Sequence, residues 1–201
     1  MKISICILFI SLLATIGQSA DTNTYSNPTV GVTITKPADW QFATAQQHAE
    51  NLARIKLEDE QLQEWVKKHA TAPIVVMMKY SEPFDDVNPS FKVNIRPLGN
   101  LSGDDPKAIL VLIVPQLRKA FEDFEMIVSP KETTVAGRKS AYAKINYTMK
   151  IPDGRGFPTC SELWVVPRGK YFFLLGSGTR QDEKTGKRED IQKILASLKL
   201  E

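Results

Sequence analysis

The sequence predicts an α+β fold, an antiparallel β-sheet flanked by helices, and three observations carry that reading. Apolar and polar residues alternate over 30–36 and 91–96, placing Val30, Val32 and Ile34 on one strand face and Phe91, Val93 and Ile95 on another. Compact turn signals at Ala136-Gly137, 153–156 and 167–169 separate strand-like runs at 126–135, 140–150, 159–166 and 171–175, the pattern of successive hairpins. Apolar residues recur at helical spacing over 45–70, 106–124 and 189–198. With no internal repeat, low-complexity stretch or linker between these elements, residues 30–201 are expected to form a single domain.

Composition fits this class. Of 201 residues, 42% are hydrophobic and 24% charged, too apolar for a disordered chain, and 11 Gly with 12 Pro are too few for a collagen-like one. The 26 Lys and Arg against 23 Asp and Glu leave +3, too mild a balance to mark a nucleic-acid binder or a polybasic membrane binder.

The N-terminus reads as an address. Lys2 precedes an apolar run over 3–16 and a small-residue exit at 17–20, the pattern of a secretory signal peptide cleaved near Ala20. The run is shorter than the ~20 residues a transmembrane helix needs, and no later stretch reaches that length. Cys6 lies near the start of the apolar run rather than after it, which excludes a lipid anchor. The expected mature chain has about 181 residues and a charge of about +2. It is expected to be freely soluble, secreted and periplasmic, and it keeps Cys160 as its one thiol, so an internal disulfide is not expected.

Each remaining element follows from local pattern. Residues 21–29 are polar and read as a loose lead-in. Leu52, Ile55, Leu62, Trp65 and Val66 form one stripe of the 45–70 helix, which Pro73 ends. His48 and His69 read as its solvated side chains, because Leu52 replaces the second histidine of a His-Glu-x-x-His pattern. Residues 74–80 are a short apolar strand and 82–89 a loop. Asp105 before Pro106 signals a helix start, and Ile109, Ile113, Leu117, Phe121 and Phe124 extend that helix to Phe124, kinked at Pro115. The competing reading is a strand over 109–114 with a helix beginning at Pro115. In the strand over 140–150, Ala141, Ala143, Ile145, Tyr147 and Met149 face one way and Tyr142, Lys144, Asn146, Thr148 and Lys150 the other.

Several landmarks fall in a familiar order: Val30-Gly-Val-Thr-Ile-Thr-Lys-Pro-Ala-Asp-Trp40 ending in Pro-x-x-Trp, Val135-Ala-Gly-Arg-Lys-Ser-Ala-Tyr142, the hairpin from Glu162 to Ser177, and the closing segment Ile191 to Lys199. The arrangement resembles the PsbP-like α/β/α sandwich family over roughly 30–200. The resemblance implies a sheet between helical layers and a non-enzymatic role in assembly or binding. It carries over no functional residue, and the 45–70 helix looks longer than that fold needs.

The residues offer no catalytic constellation, so no catalytic, cofactor or metal residue is assigned and no cofactor is expected. Cys160 lacks a neighbouring histidine base and reads as a partly buried, inert thiol. Leu175-Gly-Ser177-Gly-Thr179 is not Gly-x-Ser-x-Gly; it reads as a strand-ending turn, with an anion-binding nest beside Arg180 as the sharper alternative. The acid pairs Asp85-Asp86, Asp104-Asp105 and Asp182-Glu183 read as solvated loop acids, with Asp104-Asp105 also capping a helix. Asn100-Leu-Ser and Asn146-Tyr-Thr fit the glycosylation pattern.

Two places remain as candidates for function. One is a mild basic patch of Lys79, Lys92, Arg96, Lys144 and Lys150 on the outer sheet face, set against ordinary solvated exterior; a partner-binding screen indifferent to Lys92→Glu and Arg96→Glu would remove it. The other is the loop at 80–89, where Tyr80, Phe84 and Phe91 stand among prolines. The expected function is an exported, non-catalytic binding or assembly module of the cell envelope whose partner is another protein. The alternatives are an exported hydrolase, betrayed by a deep polar pocket holding Ser177 or Cys160 beside a histidine, and a carrier holding a small ligand in an apolar cavity beneath the helices.

Overall fold

The computed structural model describes residues 23–44, 73–101, 105–151 and 153–201. The signal peptide expected over 1–20 and the helix expected over 45–70, with His48 and His69, lie outside the described residues. In chain order the elements are β1 (Thr24–Asn27), β2 (Val32–Thr35), β3 (Gln41–Phe42), β4 (Val75–Met78), β5 (Ser90–Pro97), α1 (Pro106–Ala120), β6 (Glu122–Val135), β7 (Arg138–Lys150), β8 (Gly156–Arg168), β9 (Tyr171–Arg180), α2 (Glu183–Gly186), α3 (Arg188–Ser197) and β10 (Lys199–Leu200).

A seven-stranded antiparallel sheet runs β3-β4-β5-β9-β8-β7-β6, and a smaller sheet runs β1-β2-β10. The large sheet is covered on both faces. On one, Ile191 and Ile194 of α3 and Val32 and Ile34 of β2 pack into a cluster with Phe91, Val93, Trp164, Phe173 and Leu175. On the other, Ile109 and Leu110 of α1 pack on Ala141, Ala143, Val165 and Phe172. The expected sheet between helical layers is what forms.

Local chemistry sets the boundaries. Asp105 caps α1 by accepting from the Ala108 N–H at 3.0 Å, with Pro106 at the first helical position, where its missing N–H costs nothing. The β6–β7 turn uses Ala136 and Gly137 at φ of 49° and 72°, the left-handed pair that a two-residue hairpin requires. The Pro-x-x-Trp landmark has a packing role: Trp40 is buried, and its Nε1 donates to Asp190 Oδ2 at 3.1 Å, joining the β2–β3 connection to α3. Lys79 completes this junction, with Asp190 at 3.3 Å and in contact with Asp39.

Four expectations are corrected. Helix α1 ends at Ala120 rather than Phe124 and runs through Pro115, which removes the reading of a strand over 109–114. The apolar spacing beyond Ala120 arises because two aromatics reach back from the loop and β6. Phe121 stacks on Tyr147 at 4.0 Å, and Phe124 lies under the Arg118 guanidinium at 4.6 Å. Within the polar lead-in, Thr24–Asn27 is a strand, because its hydroxyls meet those of β2: Thr24 with Thr35 at 3.0 Å and Ser26 with Thr33 at 3.1 Å. The Gly-Ser-Gly segment is neither turn nor nest, since β9 continues through it to Arg180. Finally, the five basic residues do not gather. Strand alternation sends Lys92 and Arg96 to the α1 face and Lys144 and Lys150 to the other.

Candidate functional site

Helix α1 covers only part of its sheet face. Toward β4, β5 and the ends of β7, β8 and β9, the covering is supplied by the loop at 81–89, and a cavity of about 200 Å³ lies between loop and sheet. Its floor is polar at the centre, with Lys92 and Ser90 from β5, Ser161 from β8 and Tyr147 from β7. Its walls are apolar: Val76 and Met78 from β4, Met149 and Ile151 beyond the other edge, and Phe84 and Val87 from the loop.

The room exists because of β9. Gly176 and Gly178 alternate onto this face, paired with Lys92 and Ser90 across the ladder. A Cβ on Gly176 would touch the Lys92 stem at 3.8 Å, and one on Gly178 would reach Ser90 Oγ at 3.4 Å. Any longer side chain at 178 would project into the cavity that this residue lines.

The loop is a built roof. Glu82 accepts from the Phe84 N–H at 2.9 Å and from Asn88 Nδ2 at 2.8 Å, while Asn88 exchanges hydrogen bonds with the Tyr80 backbone at 2.8 and 3.0 Å. Tyr80 stacks on Phe84 at 4.5 Å. Two ion pairs latch the roof to the sheet, Asp85 with Arg155 at 2.8 Å and Asp86 with Arg180 at 3.1 Å. Both guanidiniums also approach the Phe157 ring, at 5.6 and 5.7 Å. The Arg155 guanidinium holds the Asp85 carboxyl below its usual range, so the latch is charged at neutral pH and weakens only as acid protonates Asp85. A second space of about 350 Å³, sharing Phe84, Asp86, Met149 and Ile151 with the first, lies beside this latch.

Lys92 is the unusual group. Its amine makes no hydrogen bond or ion pair among the described residues, and burial alone pushes its pKa below the ordinary lysine value. By surface the residue is half-buried, and it lines the cavity. Neither roof acid forms an ion pair with it: Glu82 accepts hydrogen bonds inside the loop and Asp86 pairs with Arg180. Tyr147 is buried, which raises its pKa, and its hydroxyl lies 3.1 Å from Ser161 Oγ.

The other sequence candidates fall elsewhere. Cys160 is 1% exposed on the opposite face, where its sulfur accepts from Arg188 Nη2 at 3.2 Å; burial raises the thiol pKa against the pull of Arg188 and Lys144. Nearby, Tyr142 donates to Glu162 at 2.7 Å, and burial is the first cause that lifts its phenol far above its ordinary value. Ser177 touches the cavity, but its Oγ accepts from the Glu162 N–H at 3.3 Å, and neither histidine is among the described residues. Asn146 sits inside β7 with its Oδ1 buried, unlike a glycan acceptor on an open loop. Lys150 pairs with Glu122. Among the described residues no group of three His, Cys, Asp or Glu is placed to hold a metal, and no helix is long and apolar enough to cross a membrane.

Of the two places singled out from sequence, the 80–89 loop is part of this site, and one member of the basic set, Lys92, is its floor. The two alternating glycines, Gly176 and Gly178, read from the sequence as a strand-ending turn, lie inside β9 instead. On a strand, Gly at i and i+2 empties one face, and here that space is the cavity.

No protein-family model matches the chain, and no curated protein matches it. Solved structures do. The chain is similar to LpqN, described as involved in cell envelope biogenesis of Mycobacterium tuberculosis, at 13% identity over 84% of this chain and 82% of that one, with a TM-score of 0.51. It is similar to cyanobacterial PsbP (CyanoP) from Synechocystis sp. PCC 6803, at 14% identity over 94% of this chain and 99% of that one, with a TM-score of 0.50. A structure from Bacteroides thetaiotaomicron VPI-5482 matches at 12% identity over 89% of this chain, with a TM-score of 0.48; the chain spans 48% of that relative's length. At such identities the likeness is one of fold, and the fold is PsbP-like.

Proposed function

We propose that this chain, PsbP-like in fold, is an exported, non-catalytic binding module of the cell envelope, and that the cavity beneath the 81–89 loop is its binding site. The observation that carries this reading is the cavity itself: a roof stitched by Glu82 and Asn88, latched by two ion pairs, over a floor with an unpartnered amine. A largely apolar hollow with a few convergent polar groups is the usual form of a small-ligand site. Export is supported by the N-terminal pattern of Lys2, an apolar run and a small-residue exit, and by the envelope role in LpqN's description.

The reading is tested by native mass spectrometry of the chain purified gently from its own envelope. A small-molecule adduct is expected on the wild-type chain and is expected to vanish on Gly178→Leu, which fills the cavity from β9 while leaving the sheet ladder intact. An adduct retained at full occupancy on Gly178→Leu, or none on either form, would contradict it.

A further inference from the structure

Resting on that reading, we infer that the cavity selects a small amphipathic carboxylate, whose head pairs with the Lys92 ammonium and whose apolar tail lies against the cavity walls. Three observations lead there. First, among the described residues Lys92 is the one cation lining this cavity, and no acid pairs with it. An ammonium without a counter-charge in a confined, largely apolar cavity is costly, and a bound anion reduces that cost. Secondly, hydroxyls flank it: Ser90 stands two residues away on the same strand face, and Ser161 lies across β9 with its Oγ close to Tyr147 Oη. They supply donors for the second carboxylate oxygen. Thirdly, the walls are apolar, with Met78, Phe84, Val87, Met149 and Ile151 around the polar floor. The Lys92 ammonium, with no ion-pair partner among the described residues, can pair with one carboxylate, and the Glu82 and Asp86 carboxylates that line the same cavity disfavour a second negative charge. A dianionic phosphate would leave a buried negative charge unpaired.

The charge balance gives a second signature. Because burial depresses the Lys92 pKa, a carboxylate bound beside the amine raises it again, and the complex takes a proton from solvent. Among the described residues, the other titratable groups facing the same cavity are Glu82 and Asp86 on the loop and Tyr147 on β7. A variant at Lys92 therefore assigns the proton.

The test is calorimetric titration of the purified chain with hexanoate and with hexanol, in two buffers of different ionisation enthalpy at pH 9. Hexanoate is expected to bind at least tenfold more tightly than hexanol and to draw in up to one proton. Lys92→Met, similar in length and apolar, is expected to lose hexanoate affinity by at least tenfold, to keep hexanol affinity and to take up no proton. Equal affinity for the two probes, or unchanged hexanoate binding by Lys92→Met, would overturn the carboxylate assignment while leaving the binding cavity in place. Binding of neither probe by the wild-type chain would overturn both. Should Lys92→Met fold poorly, the wild-type arms still decide: no preference for hexanoate and no proton uptake would sink the inference.

Discussion

Phe173→Ala is expected to destabilise the protein by about 3–5 kcal/mol, as deletion of a fully buried aromatic does. Phe173 is 0% exposed and stands at the centre of the sheet, opposite Ile95 on β5 and Val166 on β8. It packs in the cluster that receives α3 and the small sheet, so the alanine would leave a void bounded by three layers that cannot all collapse inward. Since domains of this kind hold only about 5–15 kcal/mol in total, the variant should lose a large share of its stability. Urea unfolding measures it; a loss below about 1 kcal/mol would mean that the two helical layers are held apart from this cluster.

Lys92→Met is expected to act in the opposite direction and to do so only at certain pH values. In the unfolded chain the amine titrates near the ordinary lysine value; in the folded chain burial has lowered it. Between the two values the unfolded state binds more protons, so wild-type stability rises with pH across that window and the penalty is complete below it. Methionine removes the amine. The variant should therefore exceed wild type by about 1–3 kcal/mol at pH 7, the scale of an unpartnered buried polar group, and the difference should shrink as pH approaches 10.5. Thermal melts of both proteins from pH 7 to pH 10 check this. A difference that stays constant with pH would show that the amine is solvated.

Both variants bear on what the sequence made legible. The fold was readable wherever one pattern governed a whole element. Clean alternation in β5, the Ala136-Gly137 turn and the Asp105-Pro106 start each have a single local cause, and the structure places strand, turn and helix there. The readings that failed did so where tertiary contacts supply the pattern. Phe121 and Phe124 keep helical spacing with α1 but belong to the turn and strand after it, because Tyr147 and Arg118 hold their rings. Thr24–Asn27 looks unstructured because its polar residues meet hydroxyls of β2 rather than a core.

The site was half legible for the same reason. The alternation of Lys92, Asn94 and Arg96 with apolar neighbours reads as a solvent-facing edge, since period two cannot distinguish water from a roofed cavity. The unbroken Phe172–Leu175 run was the better clue, for a strand apolar on both faces requires layers on both sides. A polar stripe on the neighbouring strand is then polar toward an interior. Gly176 and Gly178 on that same strand complete the argument, and neither can be understood until the β5–β9 register sets them opposite Lys92 and Ser90.

The binding site proposed for this chain depends on a Lys92 amine whose pKa is depressed in the free chain and restored by a bound anion. It is tested most directly by following the Lys92 Cε resonance through a pH titration of lysine-labelled chain, assigned with Lys92→Met, with and without hexanoate. The midpoint is expected below the ordinary lysine value of 10.5 in the free chain and is expected to move upward when hexanoate is present. An ordinary midpoint that hexanoate does not move would contradict it.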